Sequence, residues 1–197
     1  GQTEMLADRC YAEKPMMILA TNSIRVALVT IHTPIKDVAG LISKSSIIER
    51  IHKINTTLKN DYAISSPRIA VLGLNPHAGE NGNIGSEEIT SINPAIIECT
   101  ESGVDVHGAF PADGFFAHGE YKNYDAILAM YHDQGLIPLK LLANGGGVNV
   151  TAGLPIVRTS PDHGTAYSIA GKGIAGEQST MDAIMMAIDI ANNRRNK

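Results

Sequence analysis

Six short runs rich in apolar residues constrain this chain more than any other feature: residues 16–21, 25–30, 68–72, 126–130, 147–151 and 155–158. Several are apolar almost throughout, as strands covered on both faces are, rather than alternating with polar residues as half-exposed strands do. Between them Ile47, Ile51, Ile54 and Leu58 recur at helical spacing, which predicts a helix over 46–60. Ser86 ahead of Glu87 and Glu88 reads as the N-cap of a second helix, with Gly103 just past its end. Ser179 or Thr180 would cap a last helix, with Ile184, Ile188 and Ala191 on one face and Arg194 and Arg195 in its basic last turn. Strands alternating with such helices give an α/β fold, a mostly buried sheet flanked by helices.

With 197 residues, 44% of them hydrophobic, the chain has material for one core, or one and a piece. Charged residues make up only 18%, which excludes a disordered chain. A net charge of −4 gives no footprint for nucleic acid. No apolar run approaches the roughly 18 residues of a membrane span, and no signal peptide is visible. Cys10 and Cys99 lie in no metal or redox spacing, which predicts two buried thiols in a reducing, cytoplasmic compartment. The chain opens without Met, and Gly1 runs straight into a helix start at Thr3, as in a processed or truncated chain.

The connecting segments carry the functional signal. Asn75-Pro-His-Ala-Gly-Glu80, Tyr131-His-Asp-Gln-Gly135, Asn144-Gly-Gly-Gly147 and Asp162-His-Gly-Thr165 combine glycine with His, Asp and Asn. Packing has no need of that combination, and ligands of open α/β sheets collect beyond the carboxyl ends of strands. His32, His77 and His132 each close an apolar run. Three imidazoles at one sheet edge can bind a divalent metal with a position left open, but a lone strand-end His is more often a hydrogen-bonded structural residue, and spacing alone favours that reading. Asp113 reads locally as a turn or cap residue, while Asp133, adjacent to His132, suits a ligand-orienting carboxylate. Lys140, Asn149 and Arg158 together would suit a phosphate or carboxylate, and separately each reads as a surface charge or turn amide. His52, His107 and His118 read as solvated. The chain has neither GxGxxG opening a helix nor a Walker A lysine pattern.

Taken in order, Gly73-Leu-Asn-Pro-His-Ala-Gly-Glu80, Gly85-Ser-Glu-Glu88, Pro111-Ala-Asp113, Ala129-Met-Tyr-His-Asp-Gln-Gly135, Gly147-Val-Asn149, Arg158-Thr-Ser160 and Asp162-His-Gly-Thr-Ala166 closely resemble the 4-hydroxythreonine-4-phosphate dehydrogenase family of pyridoxal phosphate biosynthesis. The match corresponds to the C-terminal larger part of that two-lobed family, without its N-terminal portion. The resemblance implies a fold like the isocitrate and isopropylmalate dehydrogenases. It implies a divalent metal (zinc, magnesium or cobalt) on His32, His77 and His132, drawn from both subunits of a homodimer. It implies substrate contacts from Gln2, Thr3, Lys140, Asn149 and Arg158. Asp113, Asp133 and Lys140 become the catalytic candidates, and His163, Gly164, Thr165 and Ala166 the contacts to NAD or NADP.

Two departures bear on the substrate. Gln2 stands where the family usually has a His, and an amide cannot titrate near neutral pH. Gly114 replaces a usual Thr after Pro111-Ala-Asp113. The expected reaction is therefore oxidation, then decarboxylation, of 4-phosphohydroxy-L-threonine. The first alternative is a four-carbon sugar-acid phosphate such as erythronate or threonate 4-phosphate. From other classes come a three-His metal hydrolase or lyase, and an inactive fragment.

Overall fold

The computed structural model describes residues 2–13, 15–143 and 146–196, so the 144–147 turn lies partly outside the described residues. The strands are β1 (Met16–Ala20), β2 (Arg25–Leu28), β3 (Arg68–Leu72), β4 (Asp105–Phe110), β5 (Ala126–Ala129), β6 (Val148–Ala152) and β7 (Thr159–Pro161). The helices are α1 (Gln2–Arg9), α2 (Ile35–Val38), α3 (Lys44–Asp61), α4 (Asn93–Glu101), α5 (Ala112–Ala117), α6 (His132–Ala143) and α7 (Gln178–Arg195). The strands form one mixed sheet in the order β4-β3-β5-β2-β1-β6-β7. From β4 to β2 all pairings are parallel, whereas β1, β6 and β7 are each antiparallel to the preceding neighbour. The carboxyl ends of β2, β3, β4, β5 and β6 therefore share one edge.

The strands are apolar because both faces are covered. In β3, Ile69 and Val71 join a cluster with Ile47, Ile51, Ile54 and Leu58 of α3, while Ala70 and Leu72 join Phe115 of α5 and Leu136 and Leu139 of α6. The four α3 residues are fully buried, each contributing about 1.5–3 kcal/mol of transfer free energy. Ser43 starts α3 with a capping box, its hydroxyl accepting from the Ser46 N–H at 3.2 Å. At the other end of the sheet α7 packs Ala183 and Ile190 against Val148 and Val150.

Several local expectations are corrected. Residues 155–158 form a connecting loop, and the strand falls later, at Thr159–Pro161, pairing with β6. Edge strand β4 lacked an apolar run, since Asp105 and His107 are exposed. Ser86 opens its helix through its carbonyl, which accepts from Thr90 N–H, and that helix begins with a π-turn over Glu88–Ile92 before α4. Ser179 lies inside α7: its hydroxyl donates to the Gly147 carbonyl at 2.6 Å and accepts from Asp162 N–H at 3.1 Å. Ile184 and Ile188 are exposed rather than core. Gly103 does follow α4 with φ +88°. Cys99 is buried, and burial pushes its thiol pKa up; Cys10 is half-buried. No helix among the described residues is long and apolar enough to cross a membrane.

Candidate functional site

The parallel strands deliver their chemistry to one edge. His32 follows β2, His77 follows β3, Asp113 follows β4, and His132 and Asp133 follow β5. A cleft of about 520 Å³ there is lined by Asn75, His77, Asp113, Tyr131 and Asp133, with Ile137 and Leu141 of α6. A second, of about 390 Å³, is lined by His32, Thr33, His132 and again Tyr131 and Asp133. The two clefts thus meet at Tyr131 and Asp133. A larger cavity of about 590 Å³ runs along α3 and includes Asp61 and Arg194. Those two charges are satisfied by each other, and the cavity includes none of His32, His77, Asp113, His132 and Asp133, so it is not the candidate site.

His132 and His32 stand with ring centroids 6.2 Å apart. Two imidazoles on one ion, each with its centroid about 3.2 Å from it, stand about 5.2 Å apart at a tetrahedral angle and about 6.4 Å apart only when directly opposed, so this pair must close by about 1 Å to share a tetrahedral ion. His132 Nδ1 is 2.7 Å from Asp133 Oδ1. With Nδ1–H donating to that carboxylate, Nε2 is the nitrogen left free for a metal. His77 faces the neighbouring cleft instead. Among the described residues of one chain, no three His, Cys, Asp or Glu groups gather closely enough to hold an ion.

The His77 loop is held in an unusual conformation. Residues 77–81 all have positive φ, from 44° to 79°, and only Gly79 among them is a glycine. For the four others this costs about 1–2 kcal/mol apiece. Two side chains absent from the sequence-derived candidates offset it. Glu88, 2% exposed, accepts through Oε1 from the N–H groups of Leu74 and Asn75 at 2.7 and 2.8 Å. Gln134 accepts from Met130 N–H at 2.7 Å and donates to the Gly73 carbonyl at 2.6 Å, tying the β5 and β3 ends together. The Asn75 amide also donates to Glu87 Oε2, holding that carboxyl below the usual range, with Glu87 and Ser86 backbone N–H groups assisting. Glu87 and Glu88 resembled ordinary first-turn acids, and nothing in the sequence separates the buried one from its neighbour.

The anion-binding candidates are distributed along the sheet. Arg158 donates to Thr151 Oγ1 at 3.3 Å and to Gln2 Oε1 at 3.4 Å, bringing β6 and α1 together, with Thr3 next along α1. Asn149 precedes Thr151 by two on β6, hence on the same face. Among the described residues its buried Oδ1 has no hydrogen-bond partner. Its cross-strand neighbour Leu19 belongs to the cluster shared with α6. Lys140 lies eight residues beyond His132 on α6, about 12 Å along the axis, with Nζ 3.5 Å from Asp162 Oδ2. β7 runs against β6, so Asp162 and the exposed His163, Gly164, Thr165 and Ala166 leave at the edge opposite the histidines, about 17 Å away by strand length. Within that loop His163 Nδ1 is 3.0 Å from the Gly164 carbonyl, and Ala166 has φ +51°. His52, His107 and His118 are exposed and apart from this edge, His107 pairing with Asp105 at 2.6 Å.

A family model described as pyridoxal phosphate biosynthetic protein PdxA matches residues 1–187. The chain is 53% identical over 196 residues to 4-hydroxythreonine-4-phosphate dehydrogenase of Bacteroides thetaiotaomicron, covering 99% of this chain and 54% of that one. It is 48% identical over 195 residues to the same-named protein of Sulfurihydrogenibium sp., covering 99% of this chain and 60% of that one. The crystal structure of 4-hydroxythreonine-4-phosphate dehydrogenase from Klebsiella pneumoniae superposes with TM-score 0.85 at 42% identity, covering 97% of this chain and 58% of that one. A terephthalate 1,2-cis-dihydrodioldehydrogenase from Burkholderia xenovorans LB400 superposes with TM-score 0.76 at 26% identity, covering 95% and 60%. The chain thus spans less than two thirds of the length of each relative.

Proposed function

The chain belongs to the family of pyridoxal phosphate biosynthetic protein PdxA, and from that premise we propose that it is the larger, C-terminal part of a two-lobed, metal-dependent NAD(P)-linked dehydrogenase. Its substrate in this reading is 4-phosphohydroxy-L-threonine, oxidised and decarboxylated to 3-amino-2-oxopropyl phosphate in the cytoplasm. An isopropylmalate dehydrogenase-like use of the fold goes with it, the 162–175 loop taking the adenosine side of the cofactor. The carrying observation is the division of the three histidines. His32 and His132 are set as a pair, with Nε2 of His132 freed by Asp133, while His77 stands in the adjoining cleft. A homodimer in which one subunit's His77 completes the other's pair accounts for that division.

When bound, the metal supplies Lewis-acid polarisation of the substrate hydroxyl, and the nicotinamide supplies the hydride acceptor. The chain's residues do the rest. Asp133 holds the His132 ring and its tautomer. Arg158 offers a planar fork to a substrate anion, with Gln2 and Thr3 beside it. Asn149 Oδ1 accepts a hydrogen bond from a substrate hydroxyl or ammonium, which satisfies an otherwise orphaned buried atom. Lys140, released from Asp162, adds positive charge. Asp113, which lines the same cleft as His77, would take a proton.

A second reading keeps the chemistry and changes the substrate to a four-carbon sugar-acid phosphate. It is favoured by Gln2, whose amide contacts Arg158 where the family usually has an ionisable imidazole. A structural relative at 26% identity is named a dihydrodiol dehydrogenase, so this scaffold is not confined to one alcohol substrate. Absorbance at 340 nm with NAD or NADP separates them, with 4-phosphohydroxythreonine beside erythronate and threonate 4-phosphates, with and without chelator. Chelator-sensitive turnover of the amino substrate supports the first reading, and turnover of only the sugar acids the second. Metal-dependent hydrolysis without NADH would place the chain in another class.

A further inference from the structure

We propose that Glu88 is the positioning residue for His77: its buried carboxyl group grips the loop on both sides of the histidine and fixes where the imidazole stands. What His77 does there is taken from the metal reading above; how it is held stands on geometry alone. Upstream of His77, Oε1 accepts from the N–H groups of Leu74 and Asn75, and Oε2 accepts from Asn75 Nδ2 at 2.9 Å. Downstream, Gly79, at φ +79°, comes so close that a Cβ there would lie 2.6 Å from Oε2. One carboxyl group thus touches the chain two residues before His77 and two residues after it. From His77 to Asn81 the backbone is left-handed, a conformation that only a surrounding structure can impose on non-glycine residues. A buried carboxyl group is a costly way to hold an ordinary turn. Here it supplies two acceptor atoms at a fixed point behind a chemically committed side chain.

The test uses the ¹⁵N-labelled chain as wild type, Glu88→Ala and Glu88→Gln, with Co²⁺ as the metal probe. In Glu88→Ala the amides of Leu74 and Asn75 should exchange at least tenfold faster. The His77 ring resonances should shift or double while those of His52 and His107 stay in place, and Co²⁺ affinity should fall at least tenfold. Glu88→Gln keeps one oxygen as acceptor for both backbone donors and should restore their exchange, while its NH2 meets the Asn75 Nδ2 donor, so the His77 ring spectrum and Co²⁺ affinity should fall between those of Glu88→Ala and wild type. If Glu88→Ala does not fold, Glu88→Asp, which withdraws the carboxyl group by one methylene, carries the same readouts. Unchanged His77 ring signals and Co²⁺ affinity despite faster exchange would make Glu88 a fold residue only and overturn the proposal. Unchanged exchange would overturn it more directly. A His77→Ala chain that binds Co²⁺ like wild type would remove the metal reading. The exchange and ring readouts would then decide the role of Glu88 on their own.

Discussion

Replacing Arg194 by Ala should be the most damaging change far from the candidate site. Asp61 ends α3 with its side chain 5% exposed, and Arg194 meets it as a fork, Nε to Oδ1 at 2.7 Å and a terminal nitrogen to Oδ2 at 2.8 Å. The remaining guanidinium nitrogen donates to the Leu154 and Ile156 carbonyls, both at 3.2 Å. One side chain therefore ties together α3, α7 and the loop between β6 and β7. Arg194→Ala strands a buried carboxylate and two carbonyls. Removing one partner of such a pair costs about 3–5 kcal/mol. With an unfolding entropy near 2.1 cal/mol/K per residue over this chain, that is a fall in Tm of about 7–12 °C. Circular dichroism melts would measure it. Arg194→Lys keeps the charge without the fork and should fall between. Adding Asp61→Ala to Arg194→Ala should recover part of the loss, because the stranded charge goes too. A loss below about 1 kcal/mol in Arg194→Ala, or strict additivity in the double variant, would mean that Arg194 does not hold Asp61 in a desolvated pair.

Two further perturbations follow from packing and burial. Gly135 sits where α6 meets the sheet, and a Cβ there would lie 2.6 Å from Val26 Cγ1 and 3.0 Å from Ala129 Cβ. Gly135→Ala should therefore destabilise by about 1–2 kcal/mol in a denaturant melt, despite the helix preference for Ala; a rise in midpoint would contradict the close approach. Burial pushes the Tyr62 hydroxyl up to about 12, against the opposing pull of Arg25. The folded state holds this proton more tightly than the unfolded chain, whose tyrosine titrates near 10. The contribution is thus complete below about pH 10 and lost as pH rises toward 12, at less than about 1.4 kcal/mol per pH unit. Denaturant midpoints at pH 9 and 11 should fall more steeply for wild type than for Tyr62→Phe, and equal slopes would count against it.

What was legible in the sequence follows from burial on two faces. β1, β2, β3 and β5 announce themselves because both sides of each strand enter a core, as Ile69 and Ala70 do on successive residues. β4 and β7 do not, since edge strands carry Asp105, His107, Thr159 and Ser160, indistinguishable by residue type from loop. Caps misled for a related reason. A serine ahead of a helix pattern is read through local bonds, but Ser179 spends its hydroxyl on Gly147 and Asp162, a contact set by where β7 ends. The basic end of α7 looked like a response to the helix dipole, whereas Arg194 reaches a carboxylate 133 residues away in sequence. The strand-end histidines were readable because parallel pairing must bring such ends to one edge. Their division into a pair and a single residue was not, since it depends on how the His77 loop is braced. Glu88 and Gln134 brace it through backbone groups, which carry no sequence signal of their own.

The metal role of His77 is tested most directly by the divalent-metal content of purified His77→Ala beside wild type, after equilibration with zinc and removal of excess. Wild type should retain metal, while His77→Ala should retain none and keep the wild-type circular dichroism spectrum. Wild-type metal content in the variant would contradict the assignment of His77 and, with it, the division of the metal site between two copies of the chain.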